Sequence, residues 1–241
     1  ITPCPLPIAQ LRDVYSIGLK TAVKDVPEAT GPNVSERLTE RLLIGISTDS
    51  DDTSLREECL DILADLLRRF GNNMDKFHER IMGTVLDLLA HPKLVVRKRA
   101  ITCIGQLATV LQDPLLNRLT ESLLTWIEAP REGHDVRTLI QTIGTVSRTV
   151  GYRLGRHLPV IMPLFLRYLG DPDDEEMQTE EANDLRENIL HAFESFVVRC
   201  PRETTGHIDA VIESVLSFMV FDPNYDYGEE EDDEEEDEEE D

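Results

Sequence analysis

Apolar residues recur along this chain at helical spacing, and one arrangement of them occurs four times. Each copy starts with an apolar residue followed by arginine. The residues 4, 7, 8 and 11 positions after that apolar residue share one face of a helix. The copies start at Leu55, Val96, Val136 and Leu185. In the third copy, Gly144 and Ser147 replace large apolar groups at positions 8 and 11. The pattern predicts four amphipathic helices that bury this stripe.

A second apolar helix precedes each of these helices, across a short polar turn. The predicted pairs lie near 34–70, 75–112, 115–151 and 158–200. Single helices are predicted near 10–26 and 207–221. The turn before the fourth copy, at 170–184, is the longest and indicates an insertion on one face of the molecule. No segment has the sustained alternation and turn signals of a β-hairpin.

The spacing of the copies indicates the fold. Their arginines are separated by 41, 40 and 49 residues, and a period of about 40 residues built from two helices is typical of HEAT and armadillo repeats. One helix pair cannot bury its apolar faces alone, so neighbouring pairs must stack into a continuous core. We therefore predict an all-α HEAT-repeat superhelix, an α-solenoid of about four to five helix pairs, over residues 1–228.

Arginine recurs in the first turn of the second helix of every pair. The four residues are Arg56, Arg97, Arg137 and Arg186. A guanidinium is a planar donor that bridges carbonyl or carboxylate oxygens of adjoining turns, so we interpret these residues as a structural ladder. Asp135 and Asp184 immediately precede the apolar–arginine pair and are predicted to cap their helices.

Lys98 and Arg99 complete the one dense basic cluster of the chain and have no equivalent in the other copies. One interpretation is an ordinary solvated helix face, which is where charged side chains usually lie. The other is a docking point for an acidic partner surface. On the second interpretation, Lys98 and Arg99 are the candidate partner-binding residues.

The chain is strongly acidic, with a formal net charge of -24. Residues 229–241 are thirteen consecutive Asp and Glu residues, and such a block is predicted to be a disordered tail because it cannot bury apolar surface. This tail is interpreted as a solubilising spacer, as a surface that attracts basic partners, or as both. Nucleic acid is a poor candidate partner, since its binding relies on Lys and Arg at phosphates.

The residues that usually carry chemistry are scattered. The four cysteines form no CxxC pair, and the six histidines are predicted to be capping or surface residues rather than ligands. No phosphate loop, zinc-protease helix or nucleophile elbow is present. We therefore predict no enzyme activity, no metal and no cofactor. With no membrane span, no leader and no disulfide framework, a cytoplasmic or nuclear protein is expected.

Several strings of the chain are long and have unusual residues. They are "QLRDVYSIGLKT", "CLDILADLL", "HPKLVVRKRAI", "AFESFVVRCP" and "FDPNYDYGEEEDD". From about Gln10 to the acidic tail, this sequence resembles the early HEAT repeats of the cullin-associated, neddylation-dissociated protein family. It departs from that family at "ITPCPLP", where a first helix is expected, and at "EMQTEEAN", which resembles an insertion.

The resemblance implies a non-catalytic regulator of cullin–RING ubiquitin ligases. The early repeats of the family hold the C-terminal region of an unmodified cullin and its RING subunit, which hides the lysine that accepts the ubiquitin-like modifier. The late repeats compete with the substrate-receptor adaptor, so adaptor exchange would require a late-repeat segment in the same or a separate chain. The alternative is a generic HEAT scaffold or transport adaptor that binds a basic cargo.

Overall fold

The computed structural model describes residues 8–48, 53–172 and 179–220, with side chains from residue 14 onward. The helices in these ranges are α1 (Ile8–Asp25), α2 (Gly31–Ser47), α3 (Ser54–Phe70), α4 (Asp75–Asp87), α5 (Leu94–Val110), α6 (Asp113–Glu128), α7 (Val136–Val150), α8 (Leu158–Leu169), α9 (Glu180–Arg199), α10 (Pro201–Thr204) and α11 (Ile208–Val220). The described ranges contain no strand, which confirms the all-α class. The predicted tail at 229–241 lies outside them.

The helices form two layers. One layer, the inner helices, consists of α1, α3, α5, α7 and α9, each packed against the next. The other layer, the outer helices, consists of α2, α4, α6, α8 and α11, which contact one another much less. Because the more closely spaced layer must lie on the inside of a curved stack, the inner helices line the concave face. This arrangement is a HEAT/armadillo-type solenoid, as predicted.

The core is built from the predicted stripe. All four stripe positions are buried in α3, α5, α7 and α9. The weak third copy has its own packing: a Cβ added at Gly144 would meet the Ala192 Cβ at 3.5 Å, and the Ser147 hydroxyl donates to Ser195 Oγ at 2.9 Å. Small residues in α7 therefore let α9 approach closely.

The start of α9 differs from the prediction. The helix begins at Glu180, inside the segment predicted as a turn, because the Thr179 hydroxyl accepts a hydrogen bond from the Ala182 amide at 3.2 Å. Asp184 consequently lies within the helix, and its predicted capping role is wrong. The cap predicted at Asp135 is confirmed, since its carboxylate accepts from the Arg137 amide at 3.0 Å.

Two histidines also differ from the prediction of capping or surface roles. His78 is buried, and its Nε2 lies 2.9 Å from the Gly71 carbonyl oxygen. His157 is buried as well, with Nε2 2.9 Å from Asn117 Oδ1. In both cases one ring nitrogen finds a partner within the protein, so the ring packs into the solenoid at a small polar cost.

Candidate partner-binding surface

The ladder arginines Arg56 and Arg97 bind the ends of the outer helices that precede them. Arg56 donates to the carbonyl oxygens of Ile46 at 2.8 Å and Thr48 at 2.7 Å. Arg97 donates to the His91 carbonyl oxygen at 2.9 Å. Carbonyls at a helix C-terminus have no donor within the helix, so each guanidinium satisfies them and fixes the turn between outer and inner helix.

Arg186 makes the same kind of contact in the fourth pair and is the most buried of the four, with 7% of its surface exposed. It donates to the carbonyl oxygens of Leu169 at 3.3 Å and Asp171 at 2.8 Å. Its guanidinium also lies over the Phe218 ring, 4.9 Å from the centroid. These contacts join α9 to both α8 and α11.

Arg137 is placed differently from the other three arginines. Its guanidinium lies 3.4 Å from Asp135 Oδ2 and 3.6 Å from Asp184 Oδ2. These partners are carboxylates, and both are partly solvent-exposed. The ladder arginine therefore contacts carbonyl oxygens in the first, second and fourth helix pairs, and it contacts carboxylates in the third pair.

Arg99, one of the two candidate partner-binding residues, is engaged within the chain. Its Nη1 donates to Asp61 on α3, and its Nε lies 3.5 Å from Glu57 Oε2. The hydrogen bond to Asp61 raises the pKa of Arg99 above its ordinary value, against the opposing effect of burial. Arg99 is half-buried between two inner helices, so a partner would have to compete with Asp61 and Glu57 for it.

Asp61 and the neighbouring Glu58 also bind a cation on α1. Lys20 on α1 lies 2.7 Å from Glu58 and 3.0 Å from Asp61. Burial favours the neutral form of Glu58, but hydrogen bonds from Lys20 and Ser16 outweigh burial and lower the pKa of this carboxyl. An ion-pair row therefore runs across α1, α3 and α5. In the sequence, this row is indicated by residues of alternating charge that lie about one repeat apart, namely Lys20, Asp61 and Arg99.

Lys98 differs from Arg99 because its side chain is exposed and its ammonium has no partner among the described residues. It lies at the edge of a groove of about 270 Å³ that crosses three inner helices near their N-termini. The groove is lined by Leu94, Lys98, Arg137, Thr138, Gln141, Asp184, Glu187 and Asn188. We refer to it as the inner groove.

The inner groove has donors, acceptors and both signs of charge. Lys98 and Arg137 supply cations, and Asp184 and Glu187 supply carboxylates. Leu94, which lines the groove, and its neighbour Val95 are apolar and half exposed in the first turn of α5. A polar groove with an adjacent apolar edge suits contact with a protein surface, so this region is the candidate partner-binding surface.

Metal-binding groups do not come together in the described ranges. Among them, no cluster of three His, Cys, Asp or Glu residues could hold a metal ion. The Cys103 thiol is fully buried, and burial raises its pKa to about 12, so the nucleophilic thiolate is suppressed. The described helices include none that is long and apolar enough to cross a membrane.

Comparisons with known proteins identify relatives of this chain. A family model described as "Stalled ribosome sensor GCN1-like, HEAT repeats" matches residues 36–138. "Cullin-associated NEDD8-dissociated protein 2" of Mus musculus is 38% identical over 230 residues, which cover 92% of this chain and 18% of that protein. "Cullin-associated NEDD8-dissociated protein 1" of Drosophila melanogaster is 37% identical over 225 residues, covering 92% and 17%. This chain thus spans about a fifth of the length of these relatives.

Among solved structures, "Crystal Structure of MAST/Orbit N-terminal domain" aligns with a TM-score of 0.48 and 13% identity. That alignment covers 84% of this chain and 94% of the other.

Proposed function

This chain is a HEAT-repeat homologue of the cullin-associated NEDD8-dissociated proteins, as its resemblance indicated, and from this premise we propose that it binds a cullin. In this proposal it is a non-catalytic binding module of a cullin–RING ligase regulator. The observation that carries the proposal is identity of 38% over 92% of the chain with a relative whose name states a cullin association.

The two-layer architecture supports a binding role. Inner helices stacked side by side present one extended concave face, which is the surface that solenoids generally use to hold a partner. On that face, Lys98 and the half-exposed Leu94 stand next to a groove that holds further charged and amide side chains. Affinity from such a surface comes from shape and many polar contacts rather than from one pocket.

The finer features of the proposal follow the family resemblance. The chain holds the C-terminal region of an unmodified cullin and its RING subunit, and in doing so hides the lysine that accepts the ubiquitin-like modifier. Exchange of the substrate receptor requires a late-repeat segment in the same or a separate chain. The share of the relatives that this chain covers, 17–18%, supports that division.

The decisive experiment is size-exclusion co-elution of the full chain with a cullin–RING complex, in modified and unmodified form. Co-elution with the unmodified complex alone is expected, and absence of co-elution with either form, even when the late-repeat segment is added, would refute the proposal. A neddylation assay with the same complex tests occlusion of the acceptor lysine, because bound chain should slow modification.

Lys98→Glu tests the inner groove as the contact surface. Its side chain is exposed without a partner in the described residues, so the charge reversal should weaken cullin–RING binding without lowering Tm. Arg80→Glu is the matched control, since Arg80 is exposed on the outer helix α4. Arg99→Glu is unsuitable, because it would place a third carboxylate against Asp61 and Glu57.

A second candidate function rests on the thirteen consecutive acidic residues at 229–241. A block of like charge attracts basic surfaces at low ionic strength, which would suit a scaffold or transport adaptor for basic cargo. This alternative requires binding to basic peptides that disappears on deletion of 229–241 and is indifferent to cullins. Cullin binding that survives the deletion favours the first proposal.

A further inference from the structure

The third helix pair has an unusual charge for this chain. Residues 136–170, which include α7 and α8, contain five arginines and no Asp or Glu, although 48 of the 241 residues of the chain are acidic. Residues 229–241 are the opposite extreme, with acidic side chains only. Blocks of opposite charge attract each other at low ionic strength. The arginines of the third pair are therefore a candidate binding surface for an acidic segment.

The C-terminal ends of α7 and α9 bring arginines of both helices together. Arg148 lies in the last turn of α7, and Arg199 is the last residue of α9. A Cβ added at Gly151, directly after α7, would meet Arg199 Cδ at 3.9 Å, and the Cys200 thiol donates to the Gly151 carbonyl oxygen at 3.7 Å. Arg148 Nη1 would lie 3.6 Å from a Cβ at Gly144, where α7 packs against α9. The two arginines thus share one edge of the solenoid.

Two more arginines extend this edge. Arg156 lies in the 3-10 turn between α7 and α8, and Arg202 lies in α10, directly after α9. The turn and α10 are in contact, since a Cβ added at Gly155 would meet Glu203 Cδ at 3.0 Å. Glu203 is thus an acidic residue at the same place. We use the name arginine edge for four residues, Arg148, Arg156, Arg199 and Arg202.

The arginine edge is exposed and has no acidic partner within the described ranges. Arg148 donates to a neutral group, the Thr145 hydroxyl, at 3.0 Å. By contrast, the neighbouring Arg153 is paired with Asp113 at 2.7 Å. Tyr152, which precedes Arg153, is 79% exposed. Tyrosine and arginine are enriched at binding hot spots, and a free guanidinium binds a carboxylate through two parallel hydrogen bonds. This composition suits an acidic peptide.

We propose that the arginine edge binds the acidic segment 229–241 of the same chain. α11 starts beside α10, has 13 residues and is therefore about 20 Å long. The eight residues 221–228 follow it and can span up to about 26–29 Å. This length allows the chain to return along α11, so that the acidic segment meets the arginine edge.

The inner groove is a less suitable site for the acidic segment. It has two cations, Lys98 and Arg137, but its lining also includes the carboxylates of Asp184 and Glu187. Arg137 is moreover already close to Asp135 and Asp184. Repulsion from these carboxylates would oppose a segment that consists of acidic residues alone. The arginine edge has one neighbouring carboxylate, that of Glu203, for its four guanidinium groups.

Paramagnetic relaxation in the full chain tests this contact. A nitroxide is attached at Glu235→Cys in a chain with Cys4→Ser, because the other three cysteines are buried. The amide signals of residues 148–156 and 199–202 should lose intensity at low salt. They should recover at 1 M salt, where the Debye length is about 3 Å. Signals of the arginine edge that do not change on labelling would overturn the proposal.

Matched variants establish that the arginines bind the segment. The edge variant replaces three exposed arginines by glutamine, Arg148, Arg199 and Arg202. It should restore the signals at residues 148–156 without lowering Tm, because these side chains have no acidic partner to lose. The control variant makes the same change at three exposed arginines of the outer helices α2 and α4, Arg37, Arg41 and Arg80. Intensity loss that persists in the edge variant, or that disappears in the control variant, contradicts the proposal.

Other sites and other occupants give different results. If the label broadens residues 94–98 instead, the acidic segment occupies the inner groove. A mixture of spin-labelled chain and isotope-labelled chain detects contact between molecules. Broadening of the arginine edge in this mixture, as strong as within one chain, would show that the segment of a second copy fills it. Either result would overturn the proposal.

The second test measures the affinity of the arginine edge for this segment. A fluorescent peptide of residues 229–241 is titrated into the chain that lacks these residues. Binding at low salt should weaken about tenfold or more in the edge variant and remain unchanged in the control variant. Equal binding to all three chains would contradict the site.

An oligonucleotide with thirteen phosphates tests the other class of polyanion. Because the acidic segment occupies the edge in the full chain at an effective concentration of about 1 mM, the oligonucleotide should bind the full chain more weakly than the truncated chain. The edge variant should remove this difference. Equally tight binding to the full and truncated chains would show that the edge is free for nucleic acid, and would overturn the proposal. None of these tests contains a cullin, so their outcome is independent of cullin binding.

Discussion

The contact between α3 and α5 and the contact between α7 and α9 are equivalent joints of one solenoid. Different kinds of side chain form the two joints. At the first joint, Arg99 reaches across to Asp61 and Glu57. At the second, Gly144 lies against Ala192 and the Ser147 hydroxyl donates to Ser195. One joint is closed at its surface by charge, and the other is closed in its interior by small side chains.

A basic residue on a solenoid is therefore not automatically available to a partner. Arg99 and Lys98 are adjacent in sequence and similar in charge, yet only Lys98 is exposed and unpaired in the described part of the chain. At the α7–α9 joint, Arg137 and Asp184 line the inner groove. In the proposed function Lys98 contacts a partner, whereas Arg99 joins α5 to α3.

The largest effect is expected from Phe196→Ala, which removes a fully buried ring from the α7–α9 side of the molecule. Loss of the contact with Phe165 and the resulting cavity should lower the free energy of unfolding by about 3–5 kcal/mol. Urea denaturation measures it. Val198→Ala, at an exposed position two residues on, is the control and should change stability by less than about 0.5 kcal/mol.

A smaller effect is expected at the ladder, where Arg186→Ala and Arg137→Ala separate buried from exposed contacts. Arg186 is buried against carbonyl oxygens, so its loss should cost about 1–3 kcal/mol by leaving them without donors. Arg137 bonds partly exposed carboxylates and should cost at most about 1 kcal/mol. Equal losses in urea denaturation would contradict the distinction between the two kinds of ladder contact.

Much of the fold could be predicted from the sequence because the apolar stripe is a local signal. Position 11 is Leu66, Leu107, Ser147 and Phe196 in the four copies, and all are buried despite their chemical difference. Helical spacing alone determines which side of the helix they occupy. Three of the four predicted arginines, Arg56, Arg97 and Arg186, likewise donate to carbonyl oxygens at the end of the preceding outer helix.

The remaining features depend on how neighbouring repeats are aligned in space, which one helix does not encode. Arg99 looks like a surface residue until α3 places Asp61 beside it. His157 looks like a turn residue until Asn117 of the preceding outer helix supplies an acceptor for its ring. The early start of α9 depends on one hydroxyl, that of Thr179, within a strongly acidic segment.

Acid should loosen the α3–α5 joint more than the α7–α9 joint, because His91 lies beside Arg56 with Nε2 2.7 Å from its Nη1. Burial and the Arg56 charge lower the pKa of His91 below its usual value of about 6.5. The unfolded chain therefore binds a proton first as pH falls, and stability that is complete above about pH 6.5 decreases below it.

Hydrogen exchange at pH 7.5 and 5.5, corrected for intrinsic rates, measures this difference. Amides of α5 should lose more protection than those of α9. His91→Gln cannot titrate and should reduce the additional loss in α5. Acid loosening of α5 that is identical in this variant would assign the effect to other groups.

The smallest effect is expected from Asp61→Asn, which tests whether the ion pairs of the α3–α5 joint stabilise the stack. Asp61 accepts from both Lys20 and Arg99, but the three side chains remain 25–33% exposed, so solvent screens part of the attraction. The expected loss is about 0.2–1 kcal/mol at low salt, decreasing towards zero at 1 M salt, where the Debye length is about 3 Å. Asp184→Asn is the counterpart at the other joint, and its more exposed pair with Arg137 at 3.6 Å should contribute almost nothing at either salt concentration. A salt-independent loss for Asp61→Asn, or an equal loss for Asp184→Asn, would mean that charge does not distinguish the two joints.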